Sequence, residues 1–394
     1  MIGVTKLYCG TATPGDALRY GRQSQKLPAH LLQFSADKKP VVVWNCTRRC
    51  NLHCAHCYAA AEDREYPDEL THAEARALID DLAAFGVPVL LFSGGEPLLR
   101  EDVLELASLA RKKGIRPVLS TNGTLISPEM AQRIKDAGVG YVGISIDGVE
   151  EHHDRFRGHK GAFAAAMQGV ANCVAVGQRV GLRFTVNRRN YQDVGAMFDL
   201  IERENIDRAC FYHLVYSGRG SAIRQDALTS EQTREVVDLI LERAADFHRR
   251  ELNKDILTVD NHTDGVYLYQ RVRREQPERA EQVRQLLLWN GGNSTGSGIA
   301  DIDNVGNVHP DQFWWHYTLG NVRERPFSQI WADDSEPLLR GLRNRKPLLK
   351  GRCGQCRYLD ICNGNFRVRA EAVHGDVWAP DPACYLTDAE IGLT

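Results

Sequence analysis

The spacing Cys50-x3-Cys54-x2-Cys57 constrains this chain more than any other feature. The three thiols fall within eight residues, shortly after the apolar run Val41-Val42-Val43-Trp44. Such a run predicts a buried strand over 41–44, which delivers the chain to a tight loop and turns the thiols toward one point. Three thiolates can hold three irons of a cubane and leave the fourth iron open to a cofactor. A structural zinc site wants four ligands, usually as two C-x2-C pairs, and Cys46 supplies a fourth thiol by count. On the motif alone both readings stand.

The other cysteines sharpen the question. Of eleven, four lie at Cys46, Cys50, Cys54 and Cys57 and four at Cys353, Cys356, Cys362 and Cys384, with Cys9, Cys173 and Cys210 apart. In a reducing compartment clustered thiols point to iron–sulfur or metal ligation rather than to disulfides. Cys173 and Cys210 fit as small core residues, and Cys9 has no partner nearby in sequence. With 394 residues, 43% of them hydrophobic, the chain can bury one large domain and a smaller one. A net charge of −2 provides no basic field, so neither nucleic acid nor an anionic membrane is expected as a partner. The opening Met1-Ile2-Gly3-Val4-Thr5-Lys6 lacks the apolar core of a signal peptide, and no apolar run nears the ~18 residues of a membrane span. The cytoplasm is the expected location.

From residue 40 strands and helices alternate. Strands are predicted over 41–44, 89–92, 117–120, 141–146, 182–186 and 209–215. Thr71 and Glu74 form a capping box, Gly86 ends the helix it opens, and Ser127-Pro128 starts another. Six βα units predict an α/β fold with a parallel sheet, and the count suits a partial (β/α)6 barrel with function at the C-terminal strand ends. A doubly wound sheet has the same local pattern. Three regions follow: a lead-in segment over 1–39, the barrel over 40–250, and a smaller C-terminal domain over 251–394, where the βα rhythm stops. In the last, 270–288 reads as a charged helix and 299–309 as a hairpin turning at Asn304-Val305-Gly306-Asn307.

The predicted strand ends carry polar residues. Ser93-Gly94-Gly95-Glu96 frees backbone amides beside a carboxylate, a set suited to the ammonium of an amino-acid-like ligand, although βα turns of this kind are common. Ser120-Thr121-Asn122-Gly123 follows the third strand. Ser145 and Asp147 share one face of the fourth, where polar groups cost energy unless they bind something. Arg157, Tyr212-His213 and Gly218-Arg219-Gly220 complete the series; a solvated loop charge is the plain reading of Arg157.

Taken in this order, the motifs of residues 40–250 resemble those of radical S-adenosylmethionine (SAM) enzymes. The resemblance implies a [4Fe-4S] cluster on Cys50, Cys54 and Cys57 that cleaves SAM to a 5′-deoxyadenosyl radical, fed by a flavodoxin- or ferredoxin-type electron donor. It implies that Gly94, Gly95 and Glu96 bind the SAM ammonium, that Ser145 and Asp147 contact the SAM ribose or its neighbours, and that Asn122 also belongs to the cofactor site. Arg157 would pair with the SAM carboxylate and Tyr212 would lie at adenine.

Cys353, Cys356, Cys362 and Cys384 resemble the auxiliary-cluster (SPASM/twitch) domains of that family. Four thiolates fully ligate one cubane, and the further cysteine expected near Gly296 is missing, so one auxiliary [4Fe-4S] cluster is expected. Zinc on the same four is the alternative. The tail Asn363-Gly364-Asn365-Phe366-Arg367-Val368-Arg369 and Trp378-Ala379-Pro380-Asp381 resembles members acting on iron tetrapyrroles. Leu18-Arg19-Tyr20-Gly21-Arg22 and the stretch from His309 through Phe313 to His316 carry the likeness along the whole chain. What it implies is removal of two acetate side chains from 12,18-didecarboxysirohaem to give iron-coproporphyrin III. A related tetrapyrrole reaction, a peptide-modifying enzyme, or a non-catalytic scaffold are the alternatives. Trp314, Trp315 and Tyr317 are candidates to stack on the macrocycle, His309 or His316 to ligate its iron, and Arg367 and Arg369 to pair with its carboxylates.

Overall fold

The computed structural model describes residues 1–12 and 39–393. The lead-in motif at Leu18–Arg22 thus lies outside the described residues. The strands are β1 (Ile2–Gly3), β2 (Val41–Thr47), β3 (Val89–Gly94), β4 (Arg116–Thr121), β5 (Val142–Ser145), β6 (Val180–Val186), β7 (Arg208–His213), β8 (Asp255–Val259), β9 (Ile299–Ile302), β10 (Asn307–His309) and β11 (Gly320–Asn321). They form one sheet in the order β1-β8-β7-β6-β5-β4-β3-β2-β9-β10-β11.

Strands β2 to β8 pair in parallel, each beside its successor in sequence. A doubly wound sheet reverses its order part-way. Here no reversal occurs across β2–β8, so right-handed crossovers send the connecting helices to one face and the sheet curls as a barrel does. It does not close. β8 is covered by the antiparallel β1, and β2 by the parallel β9, which begins the meander β9-β10-β11. The hairpin expected over 299–309 is β9-β10.

Two sequence readings change. The βα rhythm does not stop at 250: β8 and the helix Thr263–Glu275 add another unit to the sheet. The stretch 270–288 is not one helix, because Pro277 cannot continue the first helix, and a second runs over Ala280–Asn290. Local signals elsewhere hold. Thr71 and Glu74 make the reciprocal capping box, Gly86 takes the left-handed conformation at φ 85°, and Ser127 caps the helix that begins with Pro128.

One hydrophobic core runs from Val42 and Trp44 through the barrel helices to Phe327, Ile361 and Tyr385. A smaller cluster of Val215, Phe313, Trp314, Phe366 and Val368 joins the β7 end to the C-terminal part. The C-terminal part is therefore packed over the strand ends where the cysteine motif lies.

Candidate active site

β2 runs past Cys46, whose buried sulfur faces Ser93 O at 3.4 Å, and releases the chain into the cysteine loop. Three structures clasp that loop. Gly95 N and Glu96 N donate to Thr47 O and Arg49 O, both at 2.8 Å. A Cβ on Gly94 would stand 2.1 Å from Thr47 O, and one on Gly95 2.2 Å from Arg49 O, so only glycine allows this approach. On a second side His53 N and Ala55 N donate to Arg157 O (3.1 Å) and Phe156 O (2.9 Å). On the third, Arg219 donates to Cys54 O (2.8 Å), Ala61 O (2.9 Å) and, through its amide, Cys57 O (3.0 Å). Gly218 lies so close that a Cβ would meet Tyr58 O at 2.3 Å. This is the role of Gly218-Arg219-Gly220, which the sequence left open.

Each of the three loop sulfurs accepts a hydrogen bond. Leu52 N reaches Cys50 Sγ at 3.5 Å, Arg157 Nη1 reaches Cys54 Sγ at 3.4 Å, and Ala61 N reaches Cys57 Sγ at 3.4 Å. Burial pushes the Cys50 thiol up to about 12 and also raises Cys54, with Arg157 opposing it there. A cation that binds the three as thiolates displaces their protons, and the donors then stabilise the anions.

The carboxylates behind the loop are committed. Asp147 is fully buried and pairs with Arg157 Nη2 at 2.5 Å, while Thr185 N donates to it at 2.6 Å and His56 Nε2 lies at 3.5 Å. Burial, the largest influence, raises its pKa, but Arg157, His56 and the Thr185 amide together hold it below the usual range. Glu96 accepts from Thr121 Oγ1 (2.7 Å), Asn122 N (2.8 Å) and Leu98 N (3.1 Å), and burial still pushes it up to about 7. The amides of Gly95 and Glu96 are therefore not free, as the sequence reading had them; the loop carbonyls take them. Asn122 is turned to Asn51 of the cysteine loop, donating at 2.8 Å. Ser145 and Tyr212 instead line a cavity inside the barrel mouth, with His56, Tyr58, Arg183 and Asp260.

A groove of about 470 Å³ opens beside that cavity, walled by Arg48, Tyr58, Tyr216, Phe313, Trp315 and His316. Tyr58 and Phe313 border both spaces and meet edge to face, ring centroids 5.5 Å apart.

The sequence profile of the Radical SAM superfamily matches residues 44–201. Fe-coproporphyrin III synthase of Methanosarcina barkeri is 61% identical over 395 residues, covering 100% of this chain and 99% of that one. The chain belongs to the radical SAM superfamily. Pre-heme d1 synthase of Dinoroseobacter shibae is 44% identical, over 90% of this chain and 88% of its own. Among solved structures, SuiB of Streptococcus suis, bound to precursor peptide SuiA, superposes with a TM-score of 0.70 over 95% of this chain and 82% of its own. At 17% identity that likeness speaks to the fold alone.

Membership of the radical SAM superfamily implies a [4Fe-4S] cluster and SAM. The loop fits such a cluster: three thiols, each with a donor to its sulfur, and Cys46 held away in β2 against Ser93 O. The second group of cysteines lines one cavity, to which Cys353, Cys356, Cys362 and Cys384 all contribute. Tyr358 N donates to Cys356 Sγ at 3.4 Å, and burial raises Cys362 and Cys384. Among the described residues no three Cys, His, Asp or Glu side chains are placed to hold a single metal ion.

The residues expected to meet a substrate separate into two groups. Trp315 lines the groove with its ring 5.5 Å beneath the Arg48 guanidinium, and His316 stands at the rim, 2.8 Å from Glu371. His309 lies behind Trp315, buried, with Nδ1 2.8 Å from Tyr317 O and Nε2 3.5 Å from Asp303. Trp314 is fully buried. Arg367 is bonded to the carbonyls of Gly364, Val377 and Ala379, and Arg369 to Asp381 through Nε (3.1 Å) and Nη2 (3.0 Å). These four do not reach the groove: the terminal nitrogens of Arg367 are taken by carbonyls of the C-terminal fold and Arg369 by Asp381 and Leu214 O, with Arg367 Nε left buried and unpartnered. Arg48, Tyr58, Tyr216 and Phe313 were missed. Arg48 offered one signal, its place directly before the cysteine loop.

Proposed function

We propose that this chain removes two acetate side chains from 12,18-didecarboxysirohaem to yield iron-coproporphyrin III, consuming one SAM per side chain. The observation that carries the reading is full-length 61% identity to an Fe-coproporphyrin III synthase, joined to an aromatic groove beside the cysteine loop. When bound, the cluster on Cys50, Cys54 and Cys57 with SAM supplies a 5′-deoxyadenosyl radical.

The residues of this chain do the rest. The Gly94-Gly95-Glu96 segment braces the cysteine loop and meets the methionine end of SAM. Ser145 and Tyr212 bound the cavity on its nucleoside side, with Asp147 and Asn122 holding the strand ends in place behind them. Arg157 keeps positive charge beside Cys54, where the thiolates gather negative charge. Tyr58, Phe313 and Trp315 offer flat apolar faces to a macrocycle, Arg48 a guanidinium to its carboxylates, and His316 an imidazole at the rim.

A second [4Fe-4S] cluster on Cys353, Cys356, Cys362 and Cys384 belongs to the same proposal. Around a single zinc the sulfurs converge at about 2.3 Å from the metal, whereas each thiolate of a cubane takes its own iron. Four cysteines around one cavity without a single-ion site favour the latter. The barrel over 40–250, extended by β8, then acts with a C-terminal auxiliary-cluster region, and a flavodoxin- or ferredoxin-type donor supplies electrons. Anaerobic turnover of didecarboxysirohaem with SAM and reductant, followed by mass spectrometry of the pigment, tests the reading; an unchanged pigment sinks it.

A further inference from the structure

Arg183 of β6 points into the barrel cavity and has no counter-charge. Its Nη1 donates to Ser120 Oγ, its Nε is buried with no partner, and it forms no ion pair among the described residues. The ionisable groups that act on it most are the phenols of Tyr212, whose ring centroid lies 5.9 Å from the guanidinium, Tyr141 and Tyr58 and the thiol of Cys210. Burial pushes all four up, so they are neutral at ordinary pH. Asp260 lines the same cavity without pairing with Arg183, and burial pushes it up to about 7.

The neighbouring strand makes room for this side chain. A Cβ on Gly143 would stand 2.5 Å from Arg183 Nε, so the guanidinium crosses β5 only because residue 143 is glycine. A cation placed so deliberately, with a free donor and no anion, is expensive unless an anion arrives. A planar guanidinium is matched by a carboxylate.

We propose that Arg183 receives a carboxylate in this cavity, that of the acetate side chain presented for removal. Tyr58 and Phe313 wall both groove and cavity, so a macrocycle in the groove would extend a side chain past them toward Arg183. The assignment of the carboxylate to an acetate of the pigment rests on the proposed function; the anion site itself rests on Arg183 and Gly143.

The test uses cluster-loaded wild type, Arg183→Met and Arg183→Lys, titrated with didecarboxysirohaem, with iron-coproporphyrin III and with SAM. Arg183→Met is expected to bind didecarboxysirohaem at least tenfold more weakly and to bind iron-coproporphyrin III, which lacks the acetates, unchanged. Arg183→Lys should recover part of the loss, and the melting temperature of Arg183→Met should not fall, since an unpaired buried cation is removed. Unchanged affinity for didecarboxysirohaem, equal loss for both pigments, or loss for SAM instead would each overturn the assignment. If Arg183→Met does not fold, Arg183→Gln, which keeps a donor to Ser120, carries the same comparison. If wild type binds SAM but neither pigment, the functional reading falls by itself, and sodium acetate decides the anion site. It should then raise the melting temperature of wild type and not of Arg183→Met; no rise in wild type overturns the site.

Discussion

Arg157 donates to the sulfur of Cys54 at 3.4 Å and stands 2.5 Å from the carboxylate of Asp147. One guanidinium thus ties a barrel strand end to a sulfur of the cysteine loop, and the charge of Asp147 fixes where that guanidinium sits. All three side chains are buried, which makes the arrangement sensitive to any single loss.

Replacing Arg157 by Met should leave Asp147 buried without its cation. Breaking a buried pair in this way costs about 3–5 kcal/mol, so the melting temperature of the iron-free protein should fall and reconstitution should load less iron on the loop cysteines. Iron content and thermal melting check this together. Full iron loading at an unchanged melting temperature would remove Arg157 from the cluster's surroundings.

Cys50→Ala, Cys54→Ala or Cys57→Ala should each abolish 5′-deoxyadenosine formation, while Cys46→Ala should retain it. The distinction comes from position: Cys46 is still in β2, its sulfur against Ser93 O, whereas the other three lie in the clasped loop. Chromatography of the nucleoside product from each variant decides the ligand set.

Reconstituted protein should carry about eight irons, as two cubanes. A triple Cys50, Cys54 and Cys57→Ala variant should keep about half of them and no zinc. Elemental analysis giving stoichiometric zinc in that variant would replace the auxiliary cluster with a zinc site.

Glu96 should make stability depend on pH. Its pKa in the fold is raised from 4.5 to about 7, chiefly by burial, so the folded state holds a proton that the unfolded state releases. The stabilisation from that proton is complete below about pH 4.5 and is lost as pH rises through 7. The shift corresponds to roughly 3 kcal/mol at 1.36 kcal/mol per unit. In iron-free protein, wild type should therefore lose stability relative to Glu96→Gln between pH 5 and 8. A stability difference independent of pH would show that Glu96 does not titrate in this way.

Much of this arrangement was legible in the residues. The C-x3-C-x2-C spacing, the double glycine and the polar strand ends are local features whose order along the chain specifies which end of the sheet they share. The barrel strands followed from apolar runs bounded by turns, and the Thr71 box and Ser127-Pro128 start followed from capping chemistry. What stayed hidden depends on pairing across the fold. Nothing in Gly218-Arg219-Gly220 says that it docks on Cys54 and Cys57, because that contact spans more than 150 residues. Arg367 and Arg369 read as carboxylate binders for a ligand until the structure shows Asp381 and four carbonyls, of Gly364, Val377, Ala379 and Leu214, already holding them. Pro277 was a visible helix breaker that the charge pattern of 270–288 outweighed in the reading. β8 was missed because its five residues, Asp255–Val259, follow the polar run after the preceding helix.

The groove is open to a direct test through Trp315 and Arg48. Trp315→Ala and Arg48→Met should raise KM for the pigment at least tenfold while leaving SAM affinity unchanged, since neither lines the barrel cavity. Steady-state kinetics with pigment varied at saturating SAM separates the two.

The most direct measurement is anaerobic incubation of the cluster-loaded protein with SAM, reductant and didecarboxysirohaem, with the pigment followed by mass spectrometry and 5′-deoxyadenosine counted. Conversion to iron-coproporphyrin III through a mono-deacetylated intermediate is expected, with two 5′-deoxyadenosines formed per pigment. Propionates oxidised to vinyls, or SAM cleaved with the pigment untouched, would contradict it.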